Sequence, residues 1–218
     1  LKGVLNNPNK PVAAIIGGSK VSTKINIINF LLKKMDTIII GGAMANTFVA
    51  AKGLDVGKSL FEKDAIDLAK ELIEKSQNNN CNLILPTDFI VSKNLKKNAE
   101  YTTANFDSLP HNMMALDIGP KSIELINKNI NNCKTILWNG PLGAFETYPF
   151  DKGTNKVASH VSSLTKQKKI LSVAGGGDTV SALNNAKVLN DFSYVSTAGG
   201  AFLEWLEGKV LPGIEPIS

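Results

Sequence analysis

Short runs of almost wholly apolar residues recur along this chain, most ending at or near glycine and followed by a stretch with helical spacing. The clearest lie at 12–16, 37–40, 83–85, 135–138, 170–174 and 194–196. Their continuous apolar character, rather than strict alternation, suits strands covered on both faces. Between them, Ile25, Ile28, Leu31 and Leu32 recur at helical spacing. So do Ala65, Ile66, Leu68, Ala69, Leu72 and Ile73, and again Val157, Val161 and Leu164. Alternating strands and helices predict a Rossmann-like three-layer sandwich, a mainly parallel sheet of about six strands with helices on both faces. The polar stretch 92–112 breaks the pattern and is expected to leave the sheet as an irregular excursion or hairpin. In such sheets ligands bind outside the carboxyl ends of the strands, so the strand-to-glycine junctions all point at one crevice.

Bulk properties narrow the classes. An apolar fraction of 43% and a charged fraction of 20% are ordinary for a globular protein, and no apolar run reaches the length of a membrane span. The net charge of +5 raises nucleic-acid binding, but all 24 basic side chains are Lys and they are scattered. Without Arg, the preferred reader of guanine edges and of bidentate phosphate contacts, that partner is not expected. Cys81 and Cys133 are too few for a disulfide framework and are not spaced as metal ligands, which fits reduced thiols in a cytoplasmic protein. The opening residues carry neither Met nor signal-peptide regions, and the sequence is expected to begin inside a longer protein.

Five junctions carry candidate chemistry. In Gly17-Gly18-Ser19-Lys20-Val21-Ser22-Thr23-Lys24 a helix start would aim free N–H groups at an anion, and the four-residue spacing would place Lys20 and Lys24 on one face of its first turn. Two cations there oppose the helix dipole, an arrangement stability alone disfavours. Gly41-Gly42-Ala43-Met44-Ala45 offers a small, flat apolar shelf suited to a purine. Trp138-Asn139-Gly140-Pro141-Leu142-Gly143-Ala144-Phe145-Glu146 brings an amide beside the crevice and, in Glu146, an acceptor for ribose hydroxyls. Gly175-Gly176-Gly177-Asp178-Thr179 makes a backbone cradle followed by one carboxylate, the usual protein contribution to a Mg²⁺ ion that also takes phosphate oxygens. Thr197-Ala198-Gly199-Gly200-Ala201 presents amides to a group in transit. The first four also have plain readings: exposed lysines, tight packing, a surface Glu, an N-cap.

His111 and His160 lie outside every junction, and GxSxG, CxxC, HExxH, Walker A and GxGxxG are all absent. A crevice of amides, lysines and a single carboxylate, lacking a general base, suits phosphoryl transfer, where positioning and charge stabilisation dominate. A dinucleotide dehydrogenase lacks its fingerprint, and a purely regulatory nucleotide module would have little use for Lys20, Lys24 and Asp178 together.

The chain resembles the phosphoglycerate kinases across essentially its whole length. The resemblance is carried by the first four junctions together with Leu60-Phe61-Glu62, Leu85-Pro86-Thr87-Asp88-Phe89, Asp117-Ile118-Gly119-Pro120 and the ending Leu203-Glu204-Trp205-Leu206-Glu207-Gly208-Lys209-Val210-Leu211-Pro212-Gly213. It implies reversible phosphoryl transfer between 1,3-bisphosphoglycerate and ADP with Mg²⁺, in glycolysis, by a monomer. Residues 1–218 would form one nucleotide-binding lobe, the C-terminal half of a two-lobe kinase whose N-terminal lobe holds the phosphoglycerate. By similarity, Lys20, Gly177 and Gly200 would serve catalysis. Lys20, Lys24, Gly175, Gly176, Gly177 and Thr179 would hold the phosphates, and Asp178 the metal. Gly41, Gly42, Ala43, Ala115, Leu116 and Ala144 would line the adenine pocket, with Asn139, Pro141 and Glu146 at the ribose. Ser19, Ala43 and Ala198 depart mildly from the family's usual residues, adding little bulk.

Overall fold

A computed structural model describes residues 8–209. In chain order its strands are β1 (Val12–Ile16), β2 (Thr37–Ile40), β3 (Asn82–Ile84), β4 (Asp88–Ser92), β5 (Thr102–Asn105), β6 (Met114–Ile118), β7 (Thr135–Asn139), β8 (Leu171–Gly175) and β9 (Tyr194–Ser196). The helices are α1 (Ile25–Leu31), α2 (Met44–Ala51), α3 (Ile66–Asn78), α4 (Pro120–Ile130), α5 (Lys152–Lys166), α6 (Gly177–Asn185) and α7 (Gly199–Leu206).

Six strands form one parallel sheet in the order β3-β2-β1-β7-β8-β9. The chain runs outward from β1 to β3, then returns to place β7 against β1 with Ile16 opposite Asn139. That reversal is the topological switch point where doubly wound folds hold their ligands. Alternate residues feed two cores. Val12, Ala14, Ile16, Ile38 and Ile40 pack with α1, α2, α3 and α7, whereas Ala13, Ile15, Ile39, Ile136 and Trp138 pack with α4, α5 and α6. Both faces are thus buried, which is why these strands read as unbroken apolar runs.

The expected excursion begins earlier and ends later than its polar stretch suggests. It is a three-stranded antiparallel sheet ordered β5-β4-β6. Two buried carboxylates disguise its strands. Asp88 accepts from the Lys121 and Ser122 amides at 3.0 and 2.7 Å and so caps α4, while Asp117 accepts from the Gly153 amide of α5 at 2.6 Å. Each satisfies helix-end donors from a neighbouring strand, and each puts an acidic residue type into an otherwise apolar run.

Candidate nucleotide crevice

The loops after β1, β2 and β7 touch backbone to backbone at the carboxyl edge of the sheet. Gly17 N donates to Asn139 O at 2.8 Å, Gly42 N to Leu142 O at 2.9 Å, and Met44 N to Gly18 O at 3.0 Å. Glycine is required where these loops meet. A Cβ on Gly17 would overlap the Gly140 and Pro141 carbonyls, and Gly42, at φ +68°, would meet the Gly18 backbone. Gly41 and Gly175 are closed off by Leu142 and Phe202. Gly177 and Gly200 differ, since a Cβ on either would meet nothing within 4 Å.

Behind this seam sits Asn139, only 2% exposed. Its amide donates to Gly175 O at 2.7 Å, and its carbonyl oxygen accepts from the Lys24 amine. Thr179 Oγ1 accepts from Gly140 N at 2.7 Å, tying α6 to the loop after β7. The Asn139 and Thr179 side chains therefore brace the crevice from inside, leaving the backbone amides at the start of α6 to face outward.

An apolar cleft of about 330 Å³ opens beside these loops. Among the expected residues, Gly42, Ala43, Ala115, Leu116, Pro141, Ala144, Glu146 and Asp178 line it. Gly41, Asn139, Gly175 and Thr179 are buried behind its wall, and Lys20, Lys24, Gly176 and Gly177 lie outside the lining. Phe89, Leu95 and Met114 complete the lining from the antiparallel sheet and its β4–β5 loop. Sequence reasoning passed over Leu95 and Met114 and gave Phe89, quoted within a motif, no place in the site, because nothing local marks a side chain whose partner wall lies far along the chain. Leu60 and Phe145, which stand inside quoted motifs, line it too.

The two lysines do not share a helical turn. Residues before α1 form a turn closed by Lys24 N donating to Val21 O at 2.9 Å, and α1 starts only after Lys24. Lys20 stands exposed in the preceding loop, while Lys24 turns inward across the sheet edge to Asn139. Burial lowers the Lys24 pKa from its usual value, and the nearby Asp178 carboxylate opposes that shift. An arriving phosphate would likewise favour the charged amine.

Asp178 sits exposed in the first turn of α6 and makes no hydrogen bond or ion pair among the described residues. No group of three or more His, Cys, Asp or Glu is placed to hold a metal among them. A lone carboxylate beside helix-start amides fits Mg²⁺ that arrives bound to phosphates, not a resident ion. Gly199 opens α7 beside Gly176 and Gly177, so two helix N-termini meet at the mouth.

This fold and crevice define a doubly wound α/β protein with lysines, helix-start amides and one carboxylate gathered at a single sheet edge. The phosphoglycerate kinase family profile matches residues 1–209. The chain is 53% identical over 211 residues to the phosphoglycerate kinase of Sinorhizobium fredii, covering 97% of this chain and 53% of that protein. It is 55% identical over 213 residues to that of Methylorubrum extorquens, covering 98% and 53%. The solved phosphoglycerate kinase of Coxiella burnetii superposes with a TM-score of 0.91 at 44% identity, over 96% of this chain and 53% of that one. The chain belongs to the phosphoglycerate kinase family. It spans about half the length of the curated relatives it matches. No helix among the described residues is long and apolar enough to cross a membrane.

Proposed function

We propose that this chain is the nucleotide-binding lobe of a two-lobe kinase, taking MgADP and MgATP in the crevice. In this reading it serves reversible phosphoryl transfer from 1,3-bisphosphoglycerate to ADP, yielding 3-phosphoglycerate and ATP, as a monomer in cytoplasmic glycolysis. The observation that carries the reading is the meeting of an apolar cleft with Lys24, Asp178 and the starts of α6 and α7 at one mouth.

The base lies against Gly42, Ala43, Ala115, Leu116, Pro141 and Ala144, and Glu146 accepts from the ribose hydroxyls. Lys24 and the amides of Gly176, Gly177 and Thr179 hold the diphosphate. Gly41, Asn139 and Gly175 keep these groups in place from behind. Mg²⁺, carried in by the nucleotide and bound through Asp178, neutralises phosphate charge. The bond between the acyl oxygen and phosphorus breaks as the terminal oxygen of ADP forms its own bond to that phosphorus. Since this oxygen is already anionic, no general base is needed. Lys20, exposed and free to swing, follows the phosphoryl group, and the amides near Gly177 and Gly200 receive it. The acyl phosphate is held by a second lobe, and closure of the two excludes water. The chain alone therefore turns over negligibly.

Calorimetric titration of MgADP tests this reading. One-to-one saturation, weakened at least tenfold by Lys24→Ala and by Asp178→Ala, is expected. Absence of binding at about millimolar ADP (a binding free energy weaker than about −4 kcal/mol) would refute the nucleotide reading. Turnover near that of an intact two-lobe kinase would refute the division of labour.

A further inference from the structure

The rim of the cleft carries an arrangement that the phosphoryl chemistry does not use. Six large apolar or aromatic side chains are markedly exposed among the described residues: Leu60, Leu95, Tyr101, Tyr148, Leu171 and Tyr194. The first two line the cleft, and the next two flank Lys152 beside it. Lys152 Nζ lies 5.4 Å from the Tyr101 ring centre and 5.1 Å from that of Tyr148, and it donates to the Tyr101 hydroxyl at 3.2 Å. No carboxylate among the described residues pairs with this amine. Lys152 is also the first residue of α5, where a cation opposes the helix dipole. Helix stability does not explain it, but the Tyr101 hydroxyl and the nearby Tyr148 ring do.

The rings belong to separate segments. Tyr101 ends the β4–β5 loop, and Tyr148 stands in the loop after β7. The segments are joined a second time where Asn98 N donates to Tyr148 O at 3.0 Å. Ser92 Oγ pins the root of the β4–β5 loop by donating to Glu100 O at 2.7 Å. Between these anchors is Leu95, 52% exposed yet part of the cleft wall, as are Phe145, Glu146 and Thr147 from the other segment.

We propose that Lys152, held between Tyr101 and Tyr148, is a latch that keeps Leu95 in the wall of the cleft and thereby positions the base of the bound nucleotide. The latch lies at the base end of the cleft and makes no demand on the phosphate end. It rests on the nucleotide reading given above, and its effect is separable from that reading.

The test compares wild type, Lys152→Met, Lys152→Arg and Tyr101→Ala, with MgADP and with magnesium pyrophosphate as probes. MgADP binding should weaken about three- to tenfold in Lys152→Met and Tyr101→Ala, the size expected for losing an exposed hydrogen bond together with a ring contact. Lys152→Arg should bind as wild type, since guanidinium both donates to a hydroxyl and stacks on an aromatic ring. Pyrophosphate, which has no base, should bind all four alike. Amide exchange at Asn98 should quicken in Lys152→Met without any nucleotide. Equal MgADP affinity in Lys152→Met and wild type would overturn the latch, as would a parallel loss of pyrophosphate, which would make Lys152 a long-range charge instead. Failure of the nucleotide reading looks different: wild type itself would not bind MgADP, while Asn98 exchange would still report the latch.

Discussion

Replacing Asn139 separates bracing the crevice from touching the ligand. Asn139→Ala removes the 2.7 Å bond to Gly175 O and the acceptor of the Lys24 amine. Gly175 is buried, so its carbonyl loses its side-chain donor where water does not readily reach, at about 1–3 kcal/mol. Lys24 is only half-buried and recovers part of its loss from water. A net cost of about 2 kcal/mol corresponds to a fall in Tm of about 4–8 °C for a chain of this size. Asn139→Asp sharpens the test. It sets a carboxylate oxygen against Gly175 O while strengthening the pairing with Lys24. If the Gly175 bond dominates, as its burial argues, Asp is at least as destabilising as Ala at neutral pH. Thermal unfolding followed by circular dichroism, with MgADP titrations of each folded variant, reads both effects, and weaker MgADP binding is expected in both. An Asp variant as stable as wild type beside a weakened Ala variant would show that the Lys24 contact carries the weight. Loss of MgADP affinity with no change in Tm would make Asn139 a ligand group, and the bracing argument would fail.

Burial holds the Asp117 carboxyl well above its ordinary pKa, against the lowering effect of the Gly153 and Ile118 amides. The native state therefore keeps a proton that the unfolded chain releases. Stability from this group is fully present below the unfolded value of about 4 and is lost as pH rises through the native pKa. Urea midpoints across that window should fall more steeply with pH in wild type than in Asp117→Asn, and parallel slopes would refute this. Burial, aided by the negative charge of Asp36, pushes both the Cys81 and Cys133 thiols up to about 11. A thiol–disulfide reagent at pH 8 should label them at the rate of unfolding, and rapid labelling of folded protein would contradict their placement.

The main sheet was legible because its strands are buried on both faces, leaving uninterrupted runs such as Val12–Ile16. Strands β4 and β6 were not, because Asp88 and Asp117 cap helices from inside apolar stretches. The glycine junctions announced where the crevice lies, but not which glycines face it. Gly41 and Gly175 resemble Gly177 in sequence, yet only packing against Leu142 and Phe202 distinguishes them. The Lys20–Lys24 spacing suggested a shared turn, and the bond from Lys24 N to Val21 O ends that turn before the helix begins. Phe89, Leu95 and Met114 enter the cleft through tertiary approach alone, which one-dimensional periodicity does not encode.

The pairing of β1 with β7 also has a kinetic side. The strands β1, β2 and β3 with α1, α2 and α3 are consecutive in the chain, so that half of the sheet can assemble from near neighbours. The Lys24–Asn139 contact spans 115 residues. Closing so long a loop costs entropy before any contact repays it. The floor of the crevice is therefore among the later parts to form, and during synthesis it waits for β7 and β8. A growing chain can thus bury much of one core while its crevice has yet to exist.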